Sequence, residues 1–403
     1  MNLERSIEIL SDLIAFPTIS SDSNMNLIDY AGERLQALGA NIELTYDTDR
    51  NKANLFATLG PDTDGGIVLS GHTDVVPVEG QPWSVDPFTP VIRGERMYGR
   101  GACDMKAFIA CALAMAPRFR EADLVKPVHF AFSFDEEVGC LGAPLMLEQV
   151  DRSGHKPSMC IVGEPTGMRV IEGHKGCYEY NTVFTGLEGH CSMPDHGVNA
   201  VEYAARFVTY LMEVAEELKT RAPTDSVFDP PWTTIQTGMM SGGIARNVIP
   251  RHCQVDWEMR PVNGADARLA LDKIHHYANN YLAREMQARH VDAKVFTHVI
   301  GEVAGLEPMP HSEALKVARE LTGDTEKSVV SFSTEAGLFQ EKDISTVVCG
   351  PGSISQAHKP DEYVDFDQVQ LCLDMIEGLV PRLTTWNLSQ NGCSPSSFNQ
   401  KRP

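Results

Sequence analysis

Four short apolar runs of the chain each end at histidine or acidic side chains. The runs are GIVLSG (66–71), VHFAFSF (128–134), MCIVG (159–163) and STVVCG (345–350). The side chains that follow them are, in the same order, His72 with Asp74, Glu136 with Glu137, Glu164 and, after a Gly/Pro loop, His358. A fifth acid, Asp104, opens the apolar helical stretch 104–119. Any one acid in such a place commonly forms a turn or caps a helix, but the five segments together predict one site.

The chemistry of these side chains favours divalent metal ions. Clustered carboxylates repel one another unless a positive charge lies among them. Imidazole and carboxylate ligands without thiolates suit Zn²⁺, Co²⁺ or Mn²⁺. Five ligand-bearing segments exceed what one zinc ion with an open position needs. They suit two ions about 3.5–4 Å apart that share a bridging carboxylate.

The elements around these residues predict an α/β fold. Short apolar runs alternate with amphipathic helical stretches, which is typical of a doubly wound mixed sheet with helices on both faces. In such sheets ligands bind outside the carboxyl ends of the parallel strands. We therefore expect the five segments to meet at one edge of the sheet.

The middle of the chain has a different pattern. The segment HCQVDWEMR (252–260) alternates apolar and polar residues, as a strand with one covered face does. We predict an α+β insertion at 175–301, which splits the α/β domain into residues 1–174 and 302–386. The polar, Pro/Ser/Asn-rich segment 387–403 is predicted to be a flexible tail.

Composition excludes several classes of function. Lys plus Arg is 34 and Asp plus Glu is 55, so the formal charge of −21 repels phosphate backbones and argues against nucleic-acid binding. The ten cysteines are scattered singly without a Cys-x-x-Cys pair, which excludes a zinc ribbon or a dithiol redox motif. No apolar run approaches the length of a membrane span, and the N-terminal stretch does not have the pattern of a signal peptide. We expect a cytoplasmic protein without a membrane partner.

The motifs also resemble those of a known family. SGHTDVVP, GRGACDMK, DEEVGCLGA, GEPTG and the late AHKPDEY are similar, in order and approximate spacing, to the motifs of the co-catalytic zinc amidohydrolases. The resemblance covers residues 1 to about 385. It implies two divalent ions, with Zn²⁺ expected and Co²⁺ or Mn²⁺ as alternatives. It also implies a catalytic domain with an inserted lid and dimerisation domain, and a homodimer.

The resemblance further implies a role for each site residue. His72 and Glu164 hold one ion, Glu137 and His358 hold the other, and Asp104 bridges both. Asp74 is the carboxylate that fixes the His72 tautomer, and Glu136 is the general base.

Other residues are implied to contact the substrate. His190, in the insertion, reaches a neighbouring active site and stabilises the oxyanion. Asn247 and Arg260 contact a substrate carboxylate, for which a guanidinium group is suited. Lys175, Thr334 and Glu335 are further substrate-side candidates.

Within the family, GHKGCYEY (173–180), STEAGLFQ (333–340) and CGPGSISQAHKPDEYV (349–364) resemble the motifs of members that act on a small N-acyl amino acid. This resemblance implies N2-acetyl-L-ornithine as substrate. Three alternatives keep the same chemistry: a succinyl-diaminopimelate desuccinylase, an aminoacylase and a dipeptidase. Two others are not enzymes: a metal-free relative that only binds amino acids, and a scaffold protein with acidic surface clusters.

Overall fold

The computed structural model describes residues 2–153 and 156–385, so the predicted tail at 387–403 lies outside the described residues. The helices are α1 Asn2–Ile14, α2 Met25–Ala37, α3 Lys106–Glu121, α4 Gly142–Ser153, α5 Ala200–Thr220, α6 Gly264–His276, α7 Ala283–Arg289, α8 Glu313–Thr322, α9 Ala336–Glu341, α10 Phe366–Glu377 and α11 Val380–Thr385. The strands are β1 Asn41–Tyr46, β2 Ala53–Leu59, β3 Ile67–His72, β4 Val91–Ile92, β5 Arg96–Tyr98, β6 Val128–Ser133, β7 Met159–Pro165, β8 Gly173–His174, β9 Cys177–Thr185, β10 Gly189–His190, β11 Thr234–Gly242, β12 Val248–Ile249, β13 His252–Arg260, β14 Lys294–Val303, β15 Val329–Val330, β16 Ser345–Gly350 and β17 Tyr363–Asp365.

A six-stranded mixed sheet forms the centre of the larger layer, in the order β1-β2-β6-β3-β7-β16. Strand β3 pairs in parallel with β6 and β7, and β16 pairs in parallel with β7. Strands β1 and β2 complete the sheet in antiparallel register. The four parallel strands are the four apolar runs of the sequence, so their carboxyl ends lie at one edge. This confirms the predicted α/β fold.

Helices cover both faces of this sheet. Ile67 and Leu69 of β3 belong to an apolar cluster that also takes in α1, α2, α3 and α10. Val68, between them, belongs to a second cluster that takes in α4 and α9. Successive residues of a strand point to opposite faces, so a run buried on both faces is apolar throughout. Helix α3 begins at Lys106, two residues later than the sequence pattern suggested.

A separate antiparallel sheet, in the order β11-β13-β9-β14, lies in the middle of the chain. Cys253, Val255, Trp257 and Met259 of β13 are buried, as the alternating pattern predicted. Helices α5 and α6 cover this face, and the ring of Trp257 stacks on that of Tyr180 at 4.4 Å. The sheet begins inside the predicted insertion 175–301, but its last strand, β14, continues two residues past it to Val303; the domain limits remain a prediction.

Two further observations concern the cysteines and the length of the helices. The nine cysteines among the described residues are all free thiols. None of the described helices combines the length and the apolar character that crossing a membrane requires.

Candidate metal centre

The elements of the larger layer bring six side chains together at one edge, and we call this group the acidic cluster. His72 is the last residue of β3, and Glu164 lies near the end of β7. Glu136 and Glu137 follow β6, Asp104 precedes α3, and His358 lies in the loop after β16. The acidic cluster consists of His72, Asp104, Glu136, Glu137, Glu164 and His358.

One half of the acidic cluster is buried around His72. Its Nε2 lies 3.0 Å from Oδ1 of Asp104 and 3.7 Å from Oε1 of Glu164. All three side chains are almost inaccessible to solvent. A Cβ on Gly163 would lie 1.9 Å from Cγ of Phe108. Only glycine there lets α3 pack closely against the strand that carries Glu164.

The other half lies around His358. Its Nε2 is 3.4 Å from Oδ2 of Asp104 and 3.0 Å from Oε2 of Glu137. Asp104 therefore presents one carboxylate oxygen to each histidine. We call the group His72, Asp104 and Glu164 the inner half-site, and the group Asp104, Glu137 and His358 the outer half-site, because His358 is half-exposed.

The tautomer of His72 is set by a main-chain carbonyl. Nδ1 of His72 lies 2.9 Å from the carbonyl oxygen of Asp74, which can only accept, so Nδ1 is the donor. Nε2 is then the ring nitrogen that faces the acidic cluster. The resemblance assigned this task to the carboxylate of Asp74, but that carboxylate lies farther from Nδ1, at 3.7 Å.

The Asp74 carboxylate instead holds the segment that follows β6. It accepts the main-chain N–H of Glu136 at 3.0 Å and that of Glu137 at 3.2 Å. The hydroxyl of Ser20 donates to the same carboxylate at 2.6 Å. Asp74 thereby fixes the positions of the predicted base and of its neighbour.

The pKa values of the acidic cluster reflect crowded carboxylates without enough positive charge. Burial raises the pKa of Glu136, Glu137 and Glu164, and repulsion from neighbouring carboxylates adds to the rise. Burial alone would also raise the pKa of Asp104, but hydrogen bonds from His358 and His72 outweigh it and hold that pKa below its usual range. The hydrogen bonds of His358 with Asp104 and with Glu137 raise the pKa of His358 to about 10.

This donor set fits divalent metal ions. His72, Glu136 and Glu164 place ligand atoms within 4.8 Å of one another, and so do His72, Asp104 and Glu137. Oε1 of Glu164 is buried and makes no hydrogen bond to any described residue. A buried, unpartnered carboxylate oxygen is costly unless a cation binds it. Nitrogen and oxygen ligands in this mixture match zinc and similar ions.

Three of the predicted substrate residues, Lys175, Thr334 and Glu335, are buried. Glu335 is 1% exposed, neither of its carboxylate oxygens makes a hydrogen bond to a described residue, and burial raises its pKa to about 7. Thr334 donates to Nε2 of His174 at 3.0 Å, since Nδ1 of that ring donates to the carbonyl of Lys175. Nζ of Lys175 donates to the carbonyl of Trp232.

The predicted lid residues lie within residues 175–301, the segment that carries most of the separate antiparallel sheet. His190 lies on β10, which pairs with β12, and Asn247 directly precedes β12; both residues are exposed. Nδ1 of His190 accepts from the main-chain N–H of Ser192. Arg260, at the end of β13, pairs with Glu258 at 2.9 Å. Among the described residues, no hydrogen bond or ion pair joins His190, Asn247 or Arg260 to the acidic cluster.

Sequence reasoning missed four buried residues around the centre: Ser20, Arg100, His174 and Glu362. Glu362 accepts the main-chain N–H groups of Cys103 and Asp104. In the sequence, Glu362 is the acid four residues after His358, inside the motif AHKPDEY, and this position could have marked it as a candidate. Arg100 lay inside GRGACDMK and His174 inside GHKGCYEY, whereas no motif marked Ser20.

Comparison with known proteins agrees with this geometry. Residues 68–382 match the model of the peptidase family M20/M25/M40. The chain belongs to this family. It is therefore a metal-dependent amidohydrolase that acts on small molecules, and members of the family typically bind two metal ions.

Curated relatives and solved structures extend the match along the chain. The acetylornithine deacetylase of Proteus mirabilis is 33% identical over 387 residues, which cover 94% of this chain and 97% of the relative. The acetylornithine deacetylase of Salmonella heidelberg is 33% identical over 381 residues, covering 93% and 96%. The aminopeptidase PepT of Bacillus cereus shares the fold with a TM-score of 0.70 at 17% identity, covering 94% of this chain and 98% of that one.

Proposed function

We propose that this protein hydrolyses N2-acetyl-L-ornithine to L-ornithine and acetate, a step of arginine biosynthesis. The observation that carries the hydrolysis is the carboxylate of Asp104, which presents one oxygen to His72 and the other to His358. A shared carboxylate between two sets of nitrogen and oxygen ligands is the arrangement of a two-metal hydrolase. The choice of substrate is supported by relatives at 33% identity that are acetylornithine deacetylases.

In this proposal the inner half-site holds one divalent ion and the outer half-site holds the other. Zn²⁺ is the ion we propose, and Co²⁺ or Mn²⁺ fit the same ligands. When bound, the two ions supply Lewis acidity toward the acyl carbonyl and the attacking water.

Glu136 moves the proton. Its carboxylate lies beside His72 and Glu164 without being needed in either half-site, and the Asp74 carboxylate holds its main chain. Glu136 takes a proton from the attacking water as the new C–O bond forms. It returns that proton to the amide nitrogen as the C–N bond breaks, which releases acetate and a free α-amine.

The remaining predicted residues act on the substrate. Residues 175–301 form the lid and dimerisation domain, and in a homodimer His190 stabilises the oxyanion in the neighbouring active site. Asn247 and Arg260 bind the substrate carboxylate, with Lys175, Thr334 and Glu335 on the substrate side. The exposed position of His190 and Asn247 is compatible with contact across subunits. We also propose that the protein is cytoplasmic.

The test is a chelation and reloading assay on a panel of substrates. The panel comprises N2-acetyl-L-ornithine, N-succinyl-diaminopimelate, other N-acetyl amino acids and dipeptides. We expect chelation to abolish hydrolysis, zinc or cobalt to restore it, and acetylornithine to give the highest kcat/KM. A higher kcat/KM on another member of the panel would assign a different substrate. A reloaded protein that hydrolyses none of them would support a binding protein instead.

A further inference from the structure

Four residues of the acidic cluster lie outside helices and strands. The Asp74 carboxylate holds the main chain of Glu136 and Glu137, whereas Asp104 and His358 need support from elsewhere. His72 and Glu164 are part of strands, whose ladders fix their main chain. Asp104 precedes α3, and His358 lies in the loop between β16 and β17. The main chain of His358 has a φ of +61°, a region that non-glycine residues rarely adopt. Its conformation must be held by external contacts.

A buried carboxylate holds the Asp104 loop. Glu362 is 1% exposed, and its Oε1 accepts the main-chain N–H groups of Cys103 at 2.8 Å and Asp104 at 3.0 Å. Its Oε2 accepts the main-chain N–H of Gly101 at 3.2 Å. One carboxylate thus accepts three main-chain N–H groups, those of Gly101, Cys103 and Asp104, from the turn that presents Asp104.

A buried guanidinium group joins this carboxylate to the other loop. Arg100 is 1% exposed, and its Nη1 donates to Oε2 of Glu362 at 2.7 Å and to the carbonyl of Lys359 at 3.4 Å. Its Nη2 donates to Oε1 of Gln81 at 2.6 Å. The fixed fork of the guanidinium group sets the spacing between its partners.

Gln81 completes the connection to His358. Its Oε1 also accepts from the indole N–H of Trp83 at 3.0 Å, which fixes the orientation of the amide. Its Nε2 then donates to the carbonyl oxygen of His358 at 3.0 Å. A continuous chain of hydrogen bonds therefore runs from Asp104 through Glu362, Arg100 and Gln81 to His358.

We infer that Gln81, Arg100 and Glu362 are positioning residues that set the affinity of the outer half-site for its metal ion. The inference rests on the metal roles in the proposed function. The division of labour is specific. The amide N–H of Gln81 donates directly to His358, whereas Gln81 reaches Glu362 only through Arg100, so loss of that donor acts on the outer half-site. Glu362 holds Asp104, which belongs to both half-sites, so it acts on both.

Gln81→Glu isolates one hydrogen bond. The glutamate keeps an oxygen that accepts from Arg100 and Trp83, but it replaces the donor to the His358 carbonyl with a second oxygen. We expect metal-free Gln81→Glu protein to bind the first zinc ion as the wild type does. Its affinity for the second ion should fall about 10- to 100-fold, the usual cost of losing a group that orients a ligand. The measurement is titration with zinc alone, by calorimetry against a competing chelator.

Two further variants serve as comparisons for Gln81→Glu. Gln370→Glu, which removes an amide that donates to Asp374 in α10, is the matched control and should bind both ions as the wild type does. Glu362→Gln should weaken both ions. The melting temperature of each variant shows that it is folded.

The outcomes separate the inference from the proposed function. A wild-type protein that binds fewer than two ions overturns the proposed metal centre and the inference with it. Two ions in the wild type and an unchanged second affinity in Gln81→Glu overturn the inference alone. An equal loss of both ions in Gln81→Glu also overturns it, because a general structural role would have that effect.

Discussion

The carboxylate of Asp74 accepts the main-chain N–H of Glu136 at 3.0 Å. The two residues follow adjacent parallel strands, so this bond crosses the edge of the sheet. It couples the loop after His72 to the residue that we propose as the base. The contact gives Asp74 a role that differs from fixing the His72 ring with its side chain, because the main-chain carbonyl of Asp74 already does that.

Asp74→Asn should slow the reaction while leaving the protein folded. The amide keeps one acceptor, but it loses the charge and places a donor near the N–H groups of Glu136 and Glu137. We expect kcat to fall about 10- to 100-fold at saturating zinc. Steady-state kinetics measure this. Asp343→Asn, at an exposed position, is the control, and an Asp74→Asn variant with the kcat of that control would contradict the role.

Glu136→Ala should retain both metal ions and lose nearly all turnover. The variant removes the proton acceptor but none of the five proposed ligands, and loss of a general base typically costs about 10²- to 10⁴-fold in rate. Metal analysis and kinetics on the same preparation test both halves. Glu148→Ala, at an exposed position of α4, serves as the control. Hydrolysis by Glu136→Ala near the wild-type rate would exclude Glu136 as the base.

Removing the metal ions should destabilise the protein. An ion that binds only the folded state adds about 2.7 kcal/mol when its free concentration is 100 times its Kd, and chelation also leaves the carboxylates of the acidic cluster unpaired. We expect the melting temperature of the wild type to fall by several degrees in chelator. Asp104→Asn should show a much smaller shift, because it alters both half-sites. Equal shifts in the two proteins would argue against Asp104 as the shared ligand.

Stability should fall in acid partly through His174. Burial lowers the pKa of His174 from 6.5 to about 4, so between these values the unfolded chain binds more protons than the folded protein. The free energy of unfolding therefore falls as the pH drops from about 6.5 to about 4, and His174 makes no contribution above that range.

The His174→Gln variant isolates this effect. Glutamine does not titrate, so urea unfolding of metal-free protein between pH 4 and 7 should give a shallower pH dependence than in the wild type. Using metal-free protein in both cases removes the pH dependence of metal binding, and the titration of the ligand residues is common to the two proteins, so it cancels in their comparison. Parallel curves for the wild type and His174→Gln would show that burial of this ring does not set the acid sensitivity.

Much of the fold and of the candidate site could be predicted from the sequence. The runs that form β3, β6, β7 and β16 are apolar throughout because both faces of the sheet are buried. This pattern is confined to each segment, so it can be recognised from the sequence alone. The strand β13 alternates because only one of its faces is covered. The residues that follow the parallel strands meet because parallel strands end at one edge.

The residues that could not be predicted act through contacts between distant segments. Glu362 holds the turn at Cys103 and Asp104 across about 260 residues of chain, and no local pattern distinguishes such an acid from a solvated one. Asp74 is similar, since its type and spacing suggested contact with the nearby His72. Which of its oxygens faces which donor depended on the relative placement of two strand ends.

The sequence by itself therefore determined the fold class, the edge at which the site lies and the kinds of side chain it contains, because periodicity and residue type are properties of single segments. Only the tertiary structure decided that Asp104 lies between His72 and His358, that Asp74 holds Glu136, and that Arg100 and Gln81 join the two loops. These relationships depend on distances and hydrogen-bond directions between segments far apart in the chain, which arise only when the sheet and its loops are packed together.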